Sequence, residues 1–584
     1  MLNPKNFILW LVCAMLAGSF YLAMSAWGYG FVGFPLDDAW IHQTYARNLA
    51  QTGQLAFVPG IPSAGSTAPL WSFLLSVGYL LGLPYLWWAY GLGMLFLALT
   101  GWTICRLTER LFPEPRWLGV AVGLFCVFEW HLVWAAMSGM ETILFVWLSV
   151  WLVERYVSTI AASSTIERGS HNLSQRRKDA EKNTKIQHLR IFARDAELFH
   201  TRISYFYLGL IGGLLILTRP EGAGVVGLIG LDVAYRWWVG KLFTKGRIVK
   251  MENSPPPIPP QGGEVENPRT WPDLARTWGL IIGGVAILLL PYIAFHFQLT
   301  GKPFPNTFYA KQAEYGAILA TYPLWWRLFG SFGETVESVQ GVFRVIFIGP
   351  QLLLLPGLLG AAWLTIKERR HELVIIWLWW VSFLLLYGFR LAVTYQHGRY
   401  QIPVIGWIIL LGMWGSSRLW GWGGQSLKIS KTFRVYQRVV GRVVALSLPI
   451  LLLTFLLIGA QAYSRDVRFI ETEMVMVAKW LDAHVEPDAL LAVHDIGAIG
   501  YFSPRNIIDL AGLVTPAVIP IMRDESDLLT FMQTEQADYL VTFPSWYPYL
   551  SQQPDFELIY RTKSPFSIEA GGDNMVVYQM LRNE

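Results

Sequence analysis

Cysteine is scarce in this chain of 584 residues: Cys13, Cys105 and Cys126 are the only three, each inside an apolar segment. That excludes a disulfide framework, a Cys-x-x-Cys redox pair and a thiolate metal site. Charge is thin as well, at 15% of residues against 53% hydrophobic, which removes the ordinary soluble globular class. The net charge of +5 is small for this length, and the basic residues cluster in loops between apolar runs; this is a topology signal and gives no nucleic-acid footprint. HExxH, Walker A and Gly-x-Ser-x-Gly patterns are missing, and no internal repeat is found.

What the chain does have is apolar length. Runs near or above the roughly 20 residues that cross a hydrocarbon core recur between residues 7 and 463, for example at 280–297 and 443–460, and mean hydropathy is +0.38. The chain is therefore expected to be a polytopic α-helical membrane protein. Its first run, residues 7–27, is too long for the apolar core of a secretory signal and reads as a retained helix.

Three polar interruptions and a tail divide the sequence. Residues 28–69 carry paired aspartates, an amphipathic stretch and several Gly and Pro, and read as an ordered loop. Residues 154–202 are rich in Arg, Lys, Ser and Glu and hold too little apolar surface to fold alone. Residues 241–276 include the proline run at 255–260 and read as an extended linker. From residue 465 to 584 the patterning turns soluble: a helix-like stretch at 471–484, then strand-like runs at 490–493, 507–510, 539–543, 556–560 and 575–580. This predicts a small C-terminal α/β domain behind a transmembrane module of residues 1–464.

Positive-inside bias puts both basic loops in the cytoplasm. It puts 303–340, 395–400 and the C-terminal domain outside. Residues 70–83 make only about 21 Å of helix, too short to span comfortably, so that segment is expected to be partly embedded or re-entrant. The count comes to about eleven spans, within a range of eleven to thirteen.

Phe34-Pro35-Leu36-Asp37-Asp38-Ala39-Trp40-Ile41-His42 sets two adjacent carboxylates at a helix mouth. One reading is a general base for an acceptor hydroxyl, since low dielectric raises a carboxylate's proton affinity toward usefulness. The other is a helix N-cap at Asp37 or Asp38. Ser66 and Thr67 precede Pro69 in Ala64-Gly65-Ser66-Thr67-Ala68-Pro69, which is either a plain helix entry or a pair of hydroxyl donors for a phosphate or sugar. Glu141, in Ser138-Gly139-Met140-Glu141-Thr142, is a carboxylate in an apolar stretch; it is either functional or one half of a structural ion pair with Arg219. Arg219, Lys311, His397 and Arg399 are the cations that could neutralise a lipid phosphate, although each alone could equally snorkel to headgroups. His494-Asp495-Ile496-Gly497-Ala498-Ile499-Gly500 lacks the full dinucleotide fingerprint and reads as a tight strand-to-helix packing turn.

The order of Asp37-Asp38, Tyr45-Ala46-Arg47-Asn48-Leu49, Gly65-Ser66-Thr67 and Pro69-Leu70-Trp71 resembles the GT-C superfamily of polyprenyl-phosphate-dependent glycosyltransferases, with the closest likeness to arabinofuranosyltransferase- and mannosyltransferase-like bacterial members. Ser138 to Thr142, Thr218-Arg219-Pro220-Glu221, Pro305-Asn306-Thr307-Phe308-Tyr309 and Asp495 to Gly500 also look like phrases of such proteins. The resemblance implies catalysis by Asp37 as base with Asp38 as its partner. It implies donor-phosphate binding by Arg219, Lys311, His397 and Arg399, and substrate positioning by Ser66, Thr67, Glu141, Asn306, Tyr309 and Tyr400. The second acid is Asp rather than Glu, as in the arabinosyl branch, which tilts toward a furanose donor without fixing the sugar.

The expected reaction is inverting transfer from a polyprenyl-phosphate sugar to a glycan, lipid or protein hydroxyl, in a prokaryotic inner membrane with the active site outside. No cofactor beyond the lipid-linked donor is expected. No metal is expected either, since the Trp-Trp-Asp tripeptide of the metal-using oligosaccharyltransferases is missing, although a divalent ion is left open. Membrane lipid is the other partner. The competing function class is a transporter or lipid flippase, which would also place ionisable residues among helices.

Overall fold

Hydrocarbon offers no partner to backbone N–H and C=O groups, so the apolar runs satisfy them internally as helices. The computed structural model describes residues 4–175, 202–252, 271–330, 340–422 and 431–581. Helix α1 (Pro4–Tyr29) leads through a loop to α2 (Asp38–Thr52), the short antiparallel pair β1 (Ala56–Val58) and β2 (Ile61–Pro62), and α3 (Pro69–Leu80). Then come α4 (Tyr85–Leu111), α5 (Leu118–Phe128), α6 (Trp130–Met137), α7 (Thr142–Gln175), α8 (Arg202–Thr218), α9 (Gly222–Glu252) and α10 (Trp271–Thr300). After α11 (Asn306–Thr321) and the short α12 (Leu324–Phe329) and α13 (Val342–Val345) lie α14 (Leu355–Lys367) and α15 (His371–Arg390). The kinked turn α16 (Tyr395–Gly398), α17 (Ile405–Trp420) and α18 (Lys431–Ile470) complete the bundle.

Among the described residues eight helices are long and apolar enough to cross a membrane, or nine if α5 and α6, bent by 53°, form one broken span. The chain is an integral membrane protein. The count falls below the eleven read from sequence, partly because α8 is apolar but shorter than a span. Helix α3 is apolar and shorter than a span, as its length in the sequence indicated, and Pro69 sits in its first turn. Residues 154–175 and 241–252, expected as loop, continue α7 and α9 as helix. The remainder of the first basic loop, 176–201, and the proline run lie outside the described residues.

Helix α18 does not stop at the end of its apolar stretch. It continues through a π-helical turn, Glu471–Val475, into α19 (Met476–His484), so one helical rod joins the bundle to the C-terminal region. That region runs β3 (Leu490–Val493), α20 (Ile496–Phe502), β4 (Asn506–Asp509), α21 (Glu525–Thr534), β5 (Tyr539–Thr542), β6 (Phe556–Arg561), α22 (Pro565–Glu569) and β7 (Val576–Met580). The strands lie within a residue of the runs read from sequence and form one sheet in the order β4-β3-β5-β7-β6. Strand β3 is parallel to both β4 and β5, and β7 is antiparallel to both β5 and β6.

Side chains alternate across a strand, and here the two faces meet different partners. Val493, Tyr539, Val541 and Val577 join the core that continues into the helical bundle. Ala492, Leu540, Val576 and Tyr578 form a separate core with Leu528 and Met532 of α21.

At the π-turn, buried Glu473 accepts from Met575 N at 2.8 Å and Asn574 Nδ2 at 3.0 Å, and from the Thr562 and Ser567 hydroxyls. The extra residue of a π-turn rotates the helix face, here bringing the carboxylate under the β6–β7 end of the sheet. Glu473→Ala leaves those donors without an acceptor and should cost about 3 kcal/mol. Thermal unfolding of the purified protein in detergent measures it, and an unchanged midpoint would show that the junction is held by other contacts.

Candidate active site

The loop between α1 and α2 is fixed from below. Tyr90 of α4 and Tyr463 of α18 both donate to the Gly33 carbonyl, at 2.6 and 3.1 Å, and Phe34 packs between Trp40 and Tyr90. A Cβ at Gly33 would stand 2.2 Å from a Glu471 carboxylate oxygen, so any side chain there would have to displace Glu471. The chain therefore enters α2 on a set path, with Asp37 and Asp38 at its head.

Asp37 stands at the N-cap position of α2 but makes no capping bond to it, which corrects the N-cap reading for that residue. Its carboxylate turns to the C-terminal domain instead, accepting from Gly497 N at 2.7 Å and Ala498 N at 2.8 Å. Burial, outweighing those two bonds, raises its pKa to about 7. Asp38 goes the other way. Burial alone would raise it, but Arg399, whose Nη1 lies 2.6 Å from Oδ2, together with Lys311, brings it down to about 2. Adjacent acids thus hold opposite protonation tendencies, the pattern that separates a proton acceptor from a fixed anion.

Arg399 and Lys311 converge on one atom: Arg399 Nη2 donates to the Tyr400 hydroxyl at 2.9 Å and Lys311 Nζ at 2.7 Å. Arg399 follows directly on a strained turn. Gln396 (φ 53°), His397 (φ 60°) and Gly398 (φ 67°) are successive residues in the left-handed region, at a cost of about 1–2 kcal/mol for each non-glycine. His397 holds that turn by its Nε2 contact, 2.8 Å, with Asp466 of α18. It does not line the cavity that the other cations share; its place is behind Arg399.

Beside this cluster, with the Arg219 guanidinium 5.4 Å from the Tyr400 ring, His42 Nε2 lies 3.3 Å from Glu141, and Arg219 lies 4.0 Å from Glu141 and 3.3 Å from Glu221. Arg219 also donates to the Tyr387 hydroxyl at 2.7 Å. The Glu141–Arg219 pairing expected from sequence is present, within a larger network.

These groups surround a cavity of about 1270 Å³ between the bundle and the C-terminal domain. Asp37, Asp38, Ser66, Thr67, Glu141, Arg219, Lys311, Arg399 and Tyr400 all line it. The Ser66 hydroxyl is buried with no hydrogen-bond partner among the described residues. Asn306 and Tyr309 do not line the cavity. Asn306 ties α11 to the first loop through its N–H to the Ala64 carbonyl at 2.9 Å, while the Tyr309 ring meets Lys302 at 4.6 Å. Tyr387, Glu221, Asp466 and Asp495 also face the cavity; none was singled out for a role in sequence, although Asp495 sat inside the motif read as a packing turn. That reading of the turn holds, with its glycines packed against the first loop: Gly497 against Asp37 and Gly500 against Phe57. No group of three or more His, Cys, Asp or Glu among the described residues is placed to hold a metal.

No curated protein matches the chain in sequence. A family model described as "Domain of unknown function (DUF8728)" matches residues 461–578, the stretch from the end of α18 through most of the sheet. In three dimensions the chain is similar to ArnT from Cupriavidus metallidurans bound to undecaprenyl phosphate, with 14% identity and a TM-score of 0.51 over 99% of this chain and 98% of ArnT. It is also similar to AglB, the oligosaccharyltransferase of Archaeoglobus fulgidus in complex with an inhibitory peptide and a dolichol-phosphate, with 11% identity and a TM-score of 0.53 over 92% of this chain and 69% of AglB. At these identities the likeness is one of fold: the chain shares the fold of ArnT and AglB over nearly its whole length.

Proposed function

We propose that this chain is a glycosyltransferase that moves a sugar from a polyprenyl-phosphate donor to a hydroxyl acceptor on the extracytoplasmic face of a prokaryotic inner membrane, with inversion. The observation that carries the reading is the juxtaposition of Asp37, a carboxylate with a pKa of about 7, with the Lys311–Arg399 pair beyond Asp38, on one cavity. ArnT holds undecaprenyl phosphate and AglB a dolichol-phosphate in the same fold, which supports a lipid phosphate as donor here.

The chemistry follows from the two acids. Each carboxylate oxygen of Asp37 gives one lone pair to a backbone N–H and keeps another, so it can accept an acceptor O–H. That oxygen attacks the anomeric carbon as the carbon–oxygen bond to phosphate breaks; the proton passes to Asp37 and the phosphate leaves with the electron pair. A single displacement inverts the carbon. Lys311 and Arg399 meet the charge that develops on the leaving phosphate, where fixed cations in a water-poor site act most strongly. Asp38 stays ionised and orients Arg399. Arg219, 5.4 Å from the Tyr400 ring that the pair shares, adds a third cation, and Ser66 offers an unspent hydroxyl.

The reading is tested by sugar transfer or slow hydrolysis from a panel of radiolabelled polyprenyl-phosphate sugars, with the protein in lipid. Asp37→Asn should lower kcat by roughly a hundred- to ten-thousand-fold with folding retained. No turnover of any donor by the wild type, together with lipid or solute movement in reconstituted vesicles, would replace the reading with a transporter. Because Asp37 must be deprotonated to act and its pKa is raised, kcat/KM should fall as pH drops through about 7; Asp38, ionised down to about 2, should leave no step in the profile. Lys311→Ala and Arg399→Ala should each weaken donor use, with kcat/KM down about tenfold or more. Gly497→Ala would place a Cβ 2.0 Å from the Asp37 carbonyl oxygen. It should abolish transfer while leaving the helix content by circular dichroism unchanged, and near-normal activity would show that the docking contact is dispensable.

A further inference from the structure

The C-terminal sheet has its own ligand geometry, and it faces the same cavity. Strand β3 lies between β4 and β5 and is parallel to both. The chain leaves β3 to one side through α20 to β4, then crosses to the other side of β3 through α21 to β5. This reversal is a topological switch point, and in open α/β sheets ligands bind in the crevice outside the carboxyl ends of the strands at such a point. Here His494 and Asp495 come after β3, Leu510 to Val514 after β4, and Trp546 and Tyr547 after β5, and all three loops contribute to the cavity wall.

The wall is built firmly. Asp509, at the end of β4, accepts from Ala511 N at 2.9 Å and Val514 N at 2.8 Å and so fixes the second loop. His494 Nδ1 meets the Tyr547 hydroxyl at 2.7 Å, and its ring lies edge-on to Trp546 at 4.9 Å. Burial holds His494 neutral, with its pKa down to about 4, so the ring positions the two aromatics and presents no charge. Trp546 is 46% exposed, an unusual state for an indole held between Phe543 and His494. Arg523, Glu525 and Asp495 line the same cavity as Trp546; Glu525 accepts from Leu550 N at 2.8 Å, and Asp495 makes no hydrogen bond or ion pair among the described residues.

We infer that this strand-end crevice is a saccharide subsite of the C-terminal domain, in which a sugar ring of the acceptor lies on Trp546 while Asp495, Arg523 and Glu525 take its hydroxyls. An exposed indole face on a cavity wall that also carries polar groups suits a ring that is apolar on its C–H face and polar at its rim; a lipid chain would offer Asp495 no hydrogen-bond donor. Asp495 is two residues from Gly497, whose N–H holds Asp37, so a saccharide seated here presents its next hydroxyl toward the base. The inference deepens the glycosyltransferase reading and rests on it for the word acceptor. The subsite itself is a binding claim that can stand or fall separately.

The test is binding of a panel of soluble hexose and pentofuranose oligosaccharides to the full-length protein in nanodiscs, by saturation-transfer NMR and titration, alongside titration with a polyprenyl phosphate. At least one saccharide should bind. Trp546→Ala, Asp495→Asn and Arg523→Ala should weaken it at least about tenfold, Trp546→Phe should retain most of it, and polyprenyl-phosphate affinity should be unchanged in all four. No saccharide binding, or binding indifferent to the variants, overturns the subsite, as does a peptide or lipid ligand that is lost with Trp546→Ala. Saccharide binding without any polyprenyl-phosphate binding would instead sink the donor reading and leave the crevice standing.

Discussion

Two hydrogen bonds tie the halves of this protein together at its chemistry. The Asp37 carboxylate accepts from the backbone of Gly497 and Ala498, 460 and 461 residues away, and almost everything about the site depends on that contact. It closes the cavity by placing the strand ends of the C-terminal domain over the bundle, and it takes Asp37 out of bulk water. Burial then lifts its proton affinity to the range where a carboxylate can act near neutral pH. Around the contact the packing is mutual: Trp40 meets Tyr501 and Phe502 with ring centroids 5.1 and 4.7 Å apart, and Arg47 donates to the Tyr501 carbonyl at 2.6 Å. The first loop and α20 therefore behave as one unit built from opposite ends of the chain.

The same contact explains why adjacent acids differ. Both are half-buried in the cavity wall, and both would be pushed up by desolvation; what separates them is the partner each finds. Asp37 has neutral amides, which stabilise its charge only in part. Asp38 has a guanidinium and, beyond it, an ammonium. An ion pair at 2.6 Å in a poorly solvated site outweighs the effect of burial, so Asp38 becomes a permanent anion and Asp37 a titratable one. The strained turn at residues 396–398 belongs to this arrangement, because it sets Arg399 at the cavity while His397 is held behind by Asp466.

Much of this was legible in the chain. Apolar runs had to become helices, and the alternating runs after residue 490 had to become strands, because both follow from local periodicity. The paired aspartates, Ser66, Glu141, Arg219 and Lys311 stood out as polar groups in apolar surroundings, which is costly without a purpose. His397, Asn306 and Tyr309 looked equivalent to them, since sequence shows that a polar group is near an interface but not which way it points. The span count went high because apolar composition does not reveal where a helix breaks.

The amino-acid sequence by itself determined the class: too little charge, too many long apolar runs and a tail of soluble pattern leave only a helical membrane bundle with a small α/β domain. The tertiary structure alone decided which partners each site residue meets. Asp37 serves as neither cap nor ion-pair partner within its own segment because its neighbours come from residue 497 onward. The crevice at the ends of β3, β4 and β5 exists only because the sheet docks with those ends toward the cavity. Local pattern fixes what each segment becomes; proton affinity, ion pairing and cavity shape are set by distances of a few ångströms between segments hundreds of residues apart, and those are properties of the packed fold.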